Sequence, residues 1–133
     1  MHFNYSFIII QPYADRIAKY LKQHHPDTPV VYFANGGSCY LQQQLDMNVD
    51  GLSIDWRLSM KSAREVAGAK KVLCGNVDPI VLYGNEKNIY DAVHHCIHEA
   101  NGYHVLNLGH GVEKDTPEEA VRIFVNAAKE IRL

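Results

Sequence analysis

His110 is the residue of this sequence best placed to meet a ligand. It stands between Gly109 and Gly111 at the end of Tyr103-His104-Val105-Leu106-Asn107-Leu108, an apolar run of about strand length. Shortly afterwards Thr116-Pro117-Glu118-Glu119-Ala120-Val121 carries a strong helix start signal. A strand that stops just before a helix begins puts the imidazole at the strand's carboxyl end, where ligands bind in α/β folds. The flanking glycines let the chain turn sharply and let a bulky ligand approach the backbone. They equally suit a plain turn between strand and helix that carries a solvated histidine.

Other candidates fall at the ends of other apolar runs. Asn35-Gly36-Gly37 closes Val30-Val31-Tyr32-Phe33-Ala34, Asp55-Trp56 closes Gly51-Leu52-Ser53-Ile54, and Gly75-Asn76-Val77-Asp78-Pro79 follows Lys71-Val72-Leu73-Cys74. Asp55 has two readings, a direct role in a site or a cap for the next helix. Gly75, Asn76 and Asp78 suit the floor of a cleft, although turn-making alone accounts for Gly75 and Pro79. Asn35 and Gly36 belong to the same rim. Tyr32 and Phe33 read as core. His94 and His98 share a helix face at i, i+4 spacing, but no carboxylate or thiolate in a matching position completes a metal site, so no metal is expected.

The elements that must position these residues alternate along the chain. Ala14, Ile17, Ala18 and Leu21 recur at helical spacing, with Pro12 suited to the first turn and His24-His25-Pro26 as the stop. Short helices are predicted near Cys39–Met47 and Met60–Ala67, the latter stopped by Gly68. Over Glu86–Ala100, Ile89, Ala92, Val93, Cys96, Ile97 and Ala100 form one stripe. Thr116 as N-cap with Glu119 makes a capping box, with Pro117 at the first helical position. Ala120, Val121, Phe124, Ala127, Ala128 and Ile131 then give the last helix its buried face.

Four strands that read as apolar on both faces, each separated by a helix, predict a parallel sheet covered by helices. Polar and glycine residues gathered at one end of the strands point to a (β/α)8 barrel with its site on the carboxyl face. A whole barrel takes about 250 residues, and 133 residues make about half of one. An open flavodoxin-like sheet with helices on both faces is the structural alternative. It would use Asn35-Gly36-Gly37-Ser38 as a phosphate-binding turn.

With 47% hydrophobic and 21% charged residues, the chain has the profile of an ordinary globular domain, and no membrane span is expected. A net charge of -2 with scattered Lys and Arg argues against nucleic acid as a partner. The three cysteines Cys39, Cys74 and Cys96 form no CxxC pair and fit free thiols in a reducing compartment. Residues 1–10 read differently from the rest. Phe7-Ile8-Ile9-Ile10 is too short to span a bilayer and lacks signal-peptide flanks, which leaves an alternative start, a translated intron fragment or an edge segment.

From residue 11 to 133 the sequence resembles the carboxy-terminal part of uroporphyrinogen decarboxylases. The resemblance rests on Asn107-Leu108-Gly109-His110-Gly111 with Thr116-Pro117-Glu118-Glu119, on Gly75-Asn76-Val77-Asp78-Pro79, on Gly51-Leu52-Ser53-Ile54-Asp55-Trp56 and on Pro12-Tyr13, in family order and spacing. It implies a homodimeric (β/α)8 barrel without metal or organic cofactor that converts uroporphyrinogen III to coproporphyrinogen III. It also implies that His110 lies in the cleft and touches the substrate. The family's amino-terminal arginine segment, its central aspartate and its substrate-binding tyrosine and serine have no counterpart in this sequence. The chain is therefore expected to be the back half of the enzyme, cut short by a partial or truncated gene and inactive alone, or a half-barrel that pairs with a partner chain. Corrinoid-linked methyltransferases share the superfamily but need a thiolate zinc site that Tyr32-Phe33-Ala34-Asn35 does not offer. The glycine and helix-start motifs look bacterial or plastid, which implies cytoplasm or chloroplast.

Overall fold

In a computed structural model describing residues 5–131, helices and strands alternate from end to end. They are α1 (Tyr5–His24), β1 (Val31–Phe33), α2 (Leu41–Gln44), β2 (Gly51–Ser53), α3 (Met60–Ala67), β3 (Val72–Val77), α4 (Glu86–Ala100), β4 (His104–Leu108) and α5 (Glu118–Glu130). One-turn 3-10 helices at Ser38–Tyr40 and Pro79–Tyr83 complete the set. All strands are parallel and lie in chain order, so α2, α3 and α4 are the crossovers between neighbouring strands.

The register sorts strand residues into two faces. Tyr32, Leu52, Leu73 and His104 stand in one cross-strand row, and Phe33, Ser53, Cys74 and Val105 stand in the next. Successive side chains leave opposite faces of a strand. The first row, with Ile54, meets the helices, and Leu52, Leu73 and Ile54 are fully buried there. On the other face Val31, Phe33 and Val105 are 51%, 43% and 55% exposed. The helices thus clothe one face, whereas on the other the apolar side chains of the edge strands β1 and β4 stand exposed, with Cys74 of β3 buried between them. This corrects the expectation of strands buried on both faces, and it removes the flavodoxin-like alternative, which requires helices on both. Four parallel strands in chain order, with their helices on one side, match four units of the wall of a (β/α)8 barrel.

The helices bury the predicted stripes in narrower form. Ile89, Val93, Cys96 and Ala100 anchor α4, Ala120, Phe124 and Ala127 anchor α5, and Met60, Ala63 and Ala67 anchor α3. Ser59 caps α3 by accepting from Ser62 N, and Gly68, at φ +54, ends it as expected. The start of α5 departs from the expected capping box. Thr116 Oγ1 donates instead to Glu113 O at 2.7 Å and closes the preceding turn, so Pro117 occupies the N-cap position without a side-chain cap.

At the other end, α1 begins at Tyr5, so Pro12 sits inside the helix rather than in its first turn and most of residues 1–10 is helical. Met1–Asn4 lie outside the described residues. Tertiary contacts explain the longer helix. Gln11 Nε2 donates to Gln43 O at 2.9 Å, Ala18 is buried, and Asp15 accepts from Asn48 N at 2.7 Å. The Asn48 bonds, helped by Lys19, hold the Asp15 carboxyl down at about 2.

Candidate functional site

Because all strands run the same way, the segments that follow them share one edge of the sheet. Asn35-Gly36-Gly37 follows β1, Asp55-Trp56-Arg57 follows β2, Asp78 follows β3 and Gly109-His110-Gly111 follows β4. The sequence-predicted rim is therefore assembled, although its members do different things.

His110 is half-buried at the tip of β4, where its Nδ1 lies 2.7 Å from Gly111 O. Only a protonated nitrogen satisfies a carbonyl, so this contact assigns the proton to Nδ1 and leaves Nε2 as the nitrogen available to a ligand. The imidazole borders a concavity of about 380 Å³ with Phe33, Ser53, Asn107, Leu108, Gly111 and Val112. That hollow runs from the strand tips onto the bare face of the sheet.

The two glycines beside His110 are not equivalent. Gly109 N continues the ladder to Val77 O at 2.8 Å, and a Cβ on Gly109 would collide with the backbone of Trp56. Around Gly111 nothing lies within 4 Å of a Cβ, and neither glycine has a positive φ: the glycines that do are Gly36, Gly68, Gly75 and Gly102. The sharp-turn explanation for the pair is therefore replaced by a close-packing one that applies to Gly109.

Asp55 is wholly buried and turned into the protein. Its Oδ2 accepts from Ser38 Oγ at 3.0 Å and its Oδ1 accepts from Arg57 N at 2.8 Å. These bonds tie the rim after β1 to the rim after β2, which makes Asp55 a brace. Asn76 is also buried, inside β3 rather than in a following loop, and its Nδ2 donates to Asp55 O at 3.1 Å and to Leu58 O. Gly75, at φ +115, lies where a Cβ would come within 2.6 Å of Ile54 O. Asp78 accepts from Ile80 N and caps the 3-10 helix that begins at Pro79. The expected cleft floor of Gly75, Asn76 and Asp78 is thus the scaffold beneath the rim. Asn35 faces outward, accepting from Arg57 Nη1 at 3.2 Å, and Gly36 takes the left-handed conformation at φ +71 in open space.

Two residues take roles other than those the sequence suggested, and a third, Arg57, carried no assignment from the sequence. Ser38 satisfies Asp55, and Phe33, expected in the core, lines the concavity. Arg57 lies across Trp56 with its guanidinium 4.9 Å from the ring centroid. Its position directly after Asp55-Trp56 at a strand tip was the available signal.

Away from the rim, His104 Nε2 donates to Gly75 O at 2.5 Å, and burial pushes the imidazole's pKa down. Cys96 lies 4.0 Å from the same nitrogen and donates to Gly75 O, with burial pushing its thiol up. Neither group faces the concavity. His94 stacks against Tyr90, and His95 faces Glu99 at 3.4 Å. Among the described residues no group of three or more His, Cys, Asp or Glu side chains is arranged to hold a metal ion.

A sequence profile described as uroporphyrinogen decarboxylase (URO-D) matches residues 7–131. The chain belongs to the uroporphyrinogen decarboxylase family. It is 39% identical over 121 residues to the uroporphyrinogen decarboxylase of Nostoc punctiforme and 40% identical over 121 residues to that of Trichodesmium erythraeum, in each case covering 90% of this chain and 34% of the relative. To uroporphyrinogen decarboxylase 2, chloroplastic, of Arabidopsis thaliana it is 38% identical over 122 residues, which is 91% of this chain and 31% of that protein. Among solved structures, a methyltransferase from Methanosarcina mazei superposes with a TM-score of 0.74 at 25% identity, over 87% of this chain and 34% of that one. The chain thus spans about a third of the length of the curated relatives it matches. The family match starts within α1, so the family pattern extends into residues 1–10. No helix among the described residues is long and apolar enough to cross a membrane.

Proposed function

We propose that this chain supplies the back half of a uroporphyrinogen decarboxylase site and takes uroporphyrinogen III as its ligand. The observation that carries the reading is His110 at the strand tips, beside a hollow that opens onto the uncovered face of a four-stranded parallel sheet. In the reaction, protonation of a pyrrole ring carbon makes the ring an electron sink. The bond from the acetate methylene to its carboxylate then breaks, CO2 leaves, and the electron pair passes into the ring. Protonation of the exocyclic methylene and loss of the ring proton restore the pyrrole with a methyl group. Four such steps give coproporphyrinogen III.

The pyrrole itself provides the electronic chemistry, so the protein's part is orientation and electrostatics, with no metal or organic cofactor. His110 offers Nε2 to the tetrapyrrole, Gly111 lets the ligand come close, and Gly109 seats the strand tip against Trp56. Asp55, Gly75, Asn76 and Asp78 hold the rim in shape, and Asn35 and Gly36 border it. A second set of four strands, from an amino-terminal half of the same family on the same or another polypeptide, closes the barrel. The completed unit acts as a homodimer in cytoplasm or chloroplast.

The test is complementation. The 133-residue chain is mixed with the amino-terminal portion of the Nostoc punctiforme relative and given uroporphyrinogen. Coproporphyrinogen is expected only from the mixture, and His110→Ala in this chain is expected to reduce it by at least about tenfold, the scale of one lost positioned hydrogen bond in a site. No product from a mixture that forms a stable complex overturns the reading, and full activity of the chain alone overturns the half-site.

The likeness to the Methanosarcina mazei methyltransferase favours a second reading, methyl transfer on the same wall of strands. Stoichiometric zinc in the purified protein would favour that reading over decarboxylation.

A further inference from the structure

Resting on the reading above, an octacarboxylate ligand at this rim needs cations that meet it there, and the charges of the rim are few. Asp55 is buried and satisfied by Ser38 and by Arg57 N, and Asp78 is occupied in capping. Arg57 is different, because its side chain is 54% exposed yet held in one place. Nη1 donates to Asn35 Oδ1 at 3.2 Å, the guanidinium lies over the Trp56 ring, and the Arg57 backbone N–H is anchored on Asp55. At 3.9 Å, Nη1 and Asp55 Oδ1 are too far apart for a hydrogen bond, although their charges attract. Among the described residues Nε and Nη2 of Arg57 make no hydrogen bond, so part of the planar donor fork remains open. Such a fork fits a carboxylate in a bidentate manner, and fixing it beforehand lowers the entropic cost of using it.

The place of this fork also fits. The backbone of Trp56 packs directly against Gly109, the residue before His110, so the segment carrying Arg57 and the segment carrying His110 touch at the rim. We propose that Arg57 is a substrate-binding residue that grips one carboxylate arm of the tetrapyrrole, held ready by Asn35 and by the face of Trp56. Its role is to select for polycarboxylate ligands and to orient them at the rim.

Trp56 is the only tryptophan of the chain, so quenching of its emission reports a ligand arriving at this spot. The 133-residue chain is titrated with uroporphyrin, which carries eight carboxylates, and with coproporphyrin, which carries four. Arg57→Gln is expected to weaken uroporphyrin binding about fivefold, the upper range for a partly exposed ion pair, and to flatten its dependence on salt. Coproporphyrin is expected to lose less. Arg57→Lys keeps the charge but not the fork and is expected to fall between. Quenching of the wild type with unchanged affinity in Arg57→Gln overturns this inference and leaves the proposed function standing. Absence of quenching in the wild type overturns both. Should Arg57→Gln fail to fold, Arg57→Lys decides: wild-type affinity and wild-type salt dependence overturn the inference, and a several-fold loss supports it.

Discussion

Leu52 and Leu73, on the central strands β2 and β3, are fully buried, whereas Val31 and Val105, on the edge strands β1 and β4, are more than half exposed. The residue types are alike on the two sides; the pleat decides which side each takes, and an edge position adds to the exposure of the two valines. On one side, helices whose stripes run through Ile89, Val93, Phe124 and Ala127 complete a dry core. On the other, apolar side chains that suit a packed interior face open space. The contrast teaches that an apolar strand residue reports the environment for which a sheet is built, and not only the one it has among the described residues. The rim inherits both conditions, since its scaffold of Asp55, Asn76 and Asp78 roots in the dry side while His110 opens toward the bare one.

The contrast breaks most easily at its extremes. Leu73→Ala should cost about 3 kcal/mol of unfolding free energy in chemical denaturation, the scale of a large-to-small change in a packed core. Phe33→Ala, across the sheet, should cost under about 0.5 kcal/mol in the isolated chain, as surface substitutions do. Equal losses would mean that the second face is packed in solution. The rim offers a sharper version with glycines two apart. Gly109→Ala should lose about 2 kcal/mol because its new methyl meets the Trp56 backbone, whereas Gly111→Ala should be nearly neutral in stability.

The smallest effect concerns neighbours on one strand, His104 on the clothed side and Val105 on the bare one. Burial lowers the pKa of His104 in the folded state, so the unfolded chain binds its proton first. Its contribution is fully present above the ordinary histidine pKa, near 6.5, and is lost as pH falls through the lower folded value. Thermal midpoints followed downward from pH 7 should fall, and His104→Gln should flatten that slope. Arg64 contributes to the shift and Cys96 lies beside the ring, so Cys96→Ser serves as the control for local packing. An unchanged slope in His104→Gln would remove the imidazole from the account.

Much of this was legible along the chain. The stripe from Ile89 to Ala100 predicted α4 with its observed bounds, and Met60–Ala67 with Gly68 as its stop predicted α3. The beginning of α1 was hidden because Pro12 reads as a start signal, and contacts of Gln11 and Asp15 with the segment around Asn48 outweigh it. Thr116 looked like an N-cap because a capping box is a local pattern, but its hydroxyl had a competing partner in Glu113. Asp55 and Asn76 looked like cleft residues because polar side chains at strand ends often are, and burial turned them into braces.

By itself, the sequence determined the alternation of elements, the parallel sense of the strands and the edge at which His110 had to lie, because periodicity and turn chemistry act over a few neighbouring residues. Only the tertiary structure decided which face of the sheet stays bare, which glycine beside the imidazole is sterically required, and that Arg57 is held by Asn35 and Trp56. Those outcomes depend on approach between segments far apart in the chain, and no local pattern encodes a distance through space.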